Sequence, residues 1–188
     1  PENSALQNQV IASGNSFAGT VRTLSSKVEQ LDRAIASDIS TAVTDLNNAL
    51  QDIEKFNAQI AQALASGTPT GDYEDQRDTA LQTIAQYVDI RIMQRNNGQV
   101  AVYTPYGFAL LDGKAQQFSF SGNNITAAGS TTVVNTNLQN GRLEALLALR
   151  ADTSPAAANP DPTQEVIRKL RSQLDTLVSG FLNATTVP

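Results

Sequence analysis

From Phe17 onward the apolar residues fall at Phe17, Val21, Leu24, Val28, Leu31 and Ile35, in alternating steps of four and three. Such alternation keeps one face of an α-helix apolar over many turns, as a coiled-coil-like seam requires. Two further steps of four reach Ile39 and Val43, and the alternation then resumes through Leu46, Leu50, Ile53, Asn57, Ile60 and Leu64. The extra step is a stutter, which locally unwinds a left-handed supercoil. Neither Pro nor Gly interrupts the chain between Val21 and Ser66. Residues 20–64 as one helix would span about 68 Å, whereas a compact globule of this length has a radius of gyration of about 16 Å. The stripe therefore predicts an elongated molecule with a helical spine, and a repeat of this kind is packing surface rather than a cofactor box. Upstream, Leu6, Val10 and Ile11 extend the stripe across Gly14 and Gly19. A bend or break is expected there, because each Gly costs about 1 kcal/mol relative to Ala in a helix.

The seam ends at Ser66-Gly67-Thr68-Pro69, where Gly can cap the helix and Pro blocks its continuation. A second helix is expected from Tyr73 to Tyr87, N-capped by Asp72, with Glu74 and Asp75 near its positive end. Arg77 shares a stripe with Leu81, Ile84 and Val88, so its guanidinium points to the apolar side. It needs oxygen partners there, which Asp75, Asp78 or carbonyls of the long helix could supply. Asp72, Glu74, Asp75 and Asp78 do not fit a calcium loop, because the sixth position is Arg77 where an EF-hand needs Gly.

Residues 88–134 change character. Val88, Ile90 and Ile92 alternate with Asp89 and Arg91, and after Asn97-Gly98 the residues Val100 and Val102 alternate with Ala101 and Tyr103. That pattern predicts a hairpin. Turn signals at Pro105-Tyr106-Gly107, Asp112-Gly113 and Gly122-Asn123-Asn124 extend it into an antiparallel meander, with Thr131 to Val134 as a further edge strand. Tyr103, Tyr106, Phe108, Phe118 and Phe120 concentrate the aromatics in this sheet. Gly141 to Arg150 reads as a short helix crowded with Leu143, Leu146, Leu147 and Leu149. A surface connection over 152–161 leads to a final helix capped by Asp161, Pro162 and Gln164, whose stripe is Val166, Leu170, Leu174, Leu177 and Phe181. This stripe has the spacing of the long seam, so the two are expected to pack together.

Composition removes most enzyme classes. Among 188 residues there is neither Cys nor His, so no thiolate nucleophile, imidazole base or ordinary zinc ligand set can be built. The remaining carboxylates, Lys, Ser/Thr and Tyr show no catalytic cluster outside the one acidic helix start at Asp72 to Asp78. Thirteen basic and eighteen acidic side chains give a net charge of −5, with no Lys/Arg cluster suited to a phosphate backbone. No apolar run approaches the length of a membrane-spanning helix. Nucleic acid, membrane, cofactor and small-molecule substrate are therefore all expected to be absent from its function. The chain opens on Pro1 and reads as an internal fragment.

Four stretches occur in the order of a known family: LNNALQDIEKFNAQIAQ with Asn47 and Asn57, GDYEDQRDTALQTIAQYVDIRI, GQVAVYTPYGFALLDG, and NGRLEALLALR. Together they resemble the flagellar hook-associated protein FlgK family, and the DQRD tetrad of Asp75, Gln76, Arg77 and Asp78 is the most telling part. The resemblance implies a non-enzymatic axial protein, exported through the flagellar type III apparatus and stacked as a ring of copies between hook and filament. Its implied partners are copies of itself, the hook protein and the next hook-associated protein, outside the cell. It also implies structural roles for the tetrad and for Asn47 and Asn57, and a helical domain with β-rich insertions. The family's terminal segments, which form an inner coiled-coil tube, have no counterpart in these residues.

The expected fold is α+β: a helical rod over 1–87, a β-meander over 88–139, and a return to the helical part over 140–188. The competing reading is a helical-bundle ligand-binding or sensory module, since long bundles also serve receptors.

Overall fold

The structure, a computed structural model, describes residues 2–138, 140–150 and 166–185. It begins with α1 (Glu2–Ser66) and α2 (Gly71–Tyr87). The strands β1 (Arg91–Gln94), β2 (Val100–Tyr103), β3 (Ala109–Asp112), β4 (Lys114–Ala115), β5 (Phe118–Ser121) and β6 (Asn124–Ala127) follow. A 3-10 turn at Asn135–Asn137 then leads to α3 (Arg142–Arg150) and α4 (Val166–Thr185). This is the α+β class expected, with the connection over 152–161 and the cap at Asp161, Pro162 and Gln164 lying outside the described residues.

The spine is longer than the seam required. α1 is a single helix of 65 residues, about 98 Å at its ordinary rise, and it does not break at Gly14 or Gly19. Carrying a helix through an isolated Gly costs about 1 kcal/mol, less than closing a second helix nucleus beyond it. Its end follows the expected chemistry. Gly67 takes φ +71, Thr68 N–H reaches Ala63 O at 2.9 Å and Gly67 N–H reaches Leu64 O at 3.3 Å, which satisfies carbonyls the helix would leave open. α2 starts earlier than expected. Thr70 precedes it, with its hydroxyl donating to Glu74 Oε1 at 2.8 Å. Asp72 sits inside the first turn rather than capping it, a place where the helix dipole still favours its carboxylate.

The single meander divides in two. Strands β1-β2-β3-β4 form one antiparallel sheet and β5-β6 a separate hairpin. Gln117 O already accepts Ala128 N–H at 2.7 Å from the second hairpin, and Phe118 turns its own backbone toward α1, so the ladder cannot run on. Val133 contributes only an isolated bridge to Thr126. The first strand begins at Arg91, because Val88 still donates its N–H to Ile84 O at the end of α2. Between β2 and β3 the register shifts: Val102 faces Leu111 and Tyr103 faces Ala109. Leu110 is thus a bulge, which lets two consecutive leucines, Leu110 and Leu111, both become fully buried.

Burial is concentrated on the second half of α1. Ile39, Leu46, Leu50, Ile53 and Ile60 are fully buried beneath α2, the strands and α3. Leu64 closes the seam but is 52% exposed. Phe118 enters this core while Phe108 and Phe120 pack partly against it; Tyr106 stands out in solvent. In α3 Leu143 is buried but Leu149 is exposed, so that helix is covered on fewer sides than its leucines suggested.

The first half of α1 has α4 beside it. Phe17 and Phe181 stack with centroids 4.5 Å apart. Asp32 accepts from Arg150 Nε at 2.9 Å and from Arg171 Nη2 at 3.1 Å, tying α1, α3 and α4 at one carboxylate. The expected α4 stripe is only partly covered: Leu174 packs against the core and Phe181 on Phe17, and Ile167 beside the stripe is buried, whereas Val166, Leu170, Leu177 and Phe181 keep 36–47% exposure. Among the described residues the main contacts of α4 are with α1 and α3, and two neighbours cover a narrower stripe than a full bundle does.

Gly141 shows how tightly α3 is seated. A Cβ on it would lie 2.2 Å from Tyr87 O and 2.5 Å from Tyr87 C, backbone that cannot step aside, whereas a Cβ on Gly19 would meet nothing. Gly141→Ala should lower the melting temperature, while Gly19→Ala should stabilise the helix by about 1 kcal/mol. Thermal unfolding followed by circular dichroism, with amide exchange around residue 19, checks both.

Candidate functional site

A strand end that faces a helix has backbone groups with no ladder partner, and burying them unpaired is costly. α1 answers this with side chains. Asn57 Nδ2 donates to Val100 O at 2.7 Å and Asn57 Oδ1 accepts Val100 N–H at 2.9 Å. The β2-β3 pairing covers Val102 and Tyr103, beyond Val100, so one carboxamide stands in for the missing strand residue. Asn47 repeats the device on Phe118, both bonds at 2.8 Å. Between them Glu54 Oε2 accepts Ala115 N–H at 2.8 Å and Gln51 Nε2 donates to Gln117 Oε1 at 3.1 Å. Asn47 and Asn57 were singled out in the sequence; Glu54 and Gln51 were not. Their signal was there, since Asn47, Gln51 and Glu54 are themselves spaced by four and three.

Arg77 joins this array from α2. It is buried, and its Nη1 donates to Gly98 O at 2.7 Å and to Asn57 Oδ1 at 3.4 Å. The partners expected for it, Asp75, Asp78 or a carbonyl of α1, are not the ones found. A residue pointing into the junction cannot reach Asp75 or Asp78, which sit on the exposed side of α2. What it meets instead is the β1-β2 turn. That turn is pressed against α1: Gly98 has φ +77, and a Cβ there would lie 2.5 Å from Leu64 Cδ1 and 2.9 Å from Ile60 Cγ2. Gly98 thus serves both backbone conformation and close approach. Arg77 Nε is buried without a hydrogen-bond partner among the described residues, which subtracts from what the side chain contributes.

The rest of the tetrad faces outward. Asp75, Gln76 and Asp78 are exposed, and Gln76 Nε2 returns to Asp72 O at 3.0 Å. Gln76 also borders a depression of about 370 Å³ between α1 and α2, with Asp45, Asp52, Thr79 and Thr83 around it. At the far end of α2 the buried Tyr87 donates its hydroxyl to Asp45 Oδ2 at 2.7 Å. That bond, with burial and the nearby Asp45 charge, raises the Tyr87 phenol above its ordinary 10.0. The structure therefore brings Asn57 and Arg77 together, sets Asn47 farther along the same helix, and leaves Asp75, Gln76 and Asp78 on the surface.

Arg77→Ala and Asn57→Ala should each destabilise the fold by roughly 1–3 kcal/mol, Arg77 toward the lower end because of its orphaned Nε. Because the two side chains touch, the double variant should show a coupling of about 0.5 kcal/mol or more. Strictly additive losses in denaturant melts would refute a shared junction. The Tyr87 contribution should be complete below pH ~10, since the unfolded phenol still holds its proton there. It should fade as pH rises through the higher folded value. Tyr87→Phe should remove that alkaline loss from the stability profile.

The chain is similar to known proteins. The model of the flagellar hook-associated protein FlgK helical domain matches residues 1–186. Flagellar hook-associated protein 1 of Bacillus subtilis (strain 168) is 30% identical over 99 residues, which are 52% of this chain and 19% of that protein. The matched stretch is thus about a fifth of the relative's length. The match to a helical domain covers nearly the whole of this largely helical chain, and the chain belongs to the flagellar hook-associated protein FlgK family.

Proposed function

We propose that this chain works mechanically, as an axial subunit that joins hook to filament in a ring of its own copies, rather than as a catalyst. The observation that carries the reading is the contrast between the two halves of α1. The second half is closed over by α2, the strands and α3, whereas Leu6, Val10 and Ile11 in the first are 60–70% exposed. Contiguous apolar surface of this kind belongs to contacts with other chains more than to a free monomer. Many such contacts around a ring become durable together, even where each is weak, because each engaged site raises the effective concentration of the next.

The strand-pinning array then has a role in the same reading. Asn47, Asn57 and Arg77 fix the strands and α2 to the spine, so a load on the helix is shared rather than absorbed at a hinge. Asp75, Gln76 and Asp78 offer a polar outer face to neighbours. The neighbours are further copies, the hook protein and the next hook-associated protein, reached after type III export to the outside of the cell. The Bacillus subtilis relative is by name a flagellar hook-associated protein, which supports the assignment.

Full-length protein carrying Leu6→Glu and Val10→Glu, expressed in cells whose own copy is deleted, should be exported and folded yet fail to restore swimming. Filament subunits should then be shed into the medium. Normal motility would rule out the apolar half of α1 as an assembly surface.

A further inference from the structure

The sequence holds two Asn-Gly dipeptides, Asn97-Gly98 and Asn140-Gly141. This pair is the usual site of spontaneous deamidation, because a glycine leaves its backbone nitrogen unshielded. The nitrogen attacks the Asn side-chain carbonyl carbon. An N–Cγ bond forms, the Cγ–Nδ2 bond breaks, and the nitrogen's proton leaves with the amide as ammonia. Water then opens the resulting succinimide at either carbonyl, giving aspartate or isoaspartate. The step requires a free carboxamide and a free backbone N–H.

The fold treats the two sites differently. At the first, Asn97 Nδ2 donates to Gln99 Oε1 at 2.9 Å and Asn97 Oδ1 accepts Gln99 N–H at 3.2 Å. The would-be nucleophile is also occupied, since Gly98 N–H donates to Arg95 O at 3.1 Å. At the second, Asn140 is exposed, and it is the one non-glycine residue with positive φ, +60, among the described residues. Its backbone N–H is held by Glu144 Oε2 at 2.5 Å. Among the described residues, neither its carboxamide nor the Gly141 N–H takes a hydrogen-bond partner.

We propose that Asn140 is a modification site of this protein, a spontaneous deamidation clock, and that the β1-β2 turn protects Asn97 from the same reaction. The location gives the reaction a structural consequence. Gly141 lies so close to Tyr87 O and Val88 N that not even a methyl fits. Isoaspartate inserts one extra carbon into the main chain immediately before it. The start of α3, with the fully buried Leu143, must then shift.

The test is peptide mapping by mass spectrometry after incubating the whole chain at mildly alkaline pH, folded and in denaturant. In the folded protein Asn140 should convert at least about tenfold faster than Asn97, since three hydrogen bonds must open at the latter. In denaturant the two rates should converge. Gln99→Ala, which removes one of those three bonds and frees Asn97 Nδ2, should speed conversion at Asn97 and leave Asn140 unchanged. Equal rates in the folded chain, a preference for Asn97, or a difference that persists in denaturant would each overturn the proposal.

Discussion

A strand whose edge is buried against a helix must find partners for its N–H and C=O groups, and a helix has no backbone groups to lend. This structure solves the problem with the side chains of one helix. Asn47 and Asn57 each bind both backbone groups of a single strand residue, Phe118 and Val100 respectively. A carboxamide can do this because it carries a donor and an acceptor at nearly peptide spacing. An acid could accept but not donate, and an apolar residue could do neither. Both sheets are tied to the spine by these bonds as well as by the apolar contacts beneath them.

That arrangement explains why the long helix is polar where it could have been greasy. Asn57 occupies a seam position, flanked by Ile53 and Ile60, and would be an unsatisfied liability in a plain coiled coil. Here it is buried with both polar atoms bonded, and Arg77 Nη1 donates to the same oxygen that accepts Val100 N–H. The same logic sets two glycines. Gly98 lets the turn touch α1, and Gly141 lets α3 touch the end of α2. Each allows a backbone to approach at a distance that any side chain would prevent. Side-chain amides hold the strands to the spine, and these two glycines permit the close approaches of the β1-β2 turn to α1 and of α3 to the end of α2.

The two halves of α1 differ in what covers them rather than in how they are patterned. The stripe of fours and threes runs through both, but Leu24 and Leu31 remain over 40% exposed while Ile39 and Leu46 are fully buried. One carboxylate, Asp32, marks the transition by collecting Arg150 and Arg171 from two other helices. Beyond it the spine carries a surface that matches its own buried half in chemistry, which is the physical basis for reading it as a place of assembly.

The spine beyond Gly19, its C-terminal cap and the order of helices and strands were legible in the sequence, because each rests on local rules: a helical period, a Gly-Pro stop, turn residues between alternating runs. The family was legible only through the resemblance of four stretches in order. The inward direction of Arg77 followed from the same periodicity. Its partners did not, since Gly98 and Asn57 are 21 and 20 residues away and nothing local specifies which turn will arrive there. The division of the meander, the bulge at Leu110 and the partial covering of α4 were likewise hidden. They depend on which backbone groups remain unpaired once α1 is in place, and that is known only when distant segments meet. Periodicity fixes which face of an element is apolar; what closes over that face, and which polar groups must then be satisfied, is decided by tertiary contact.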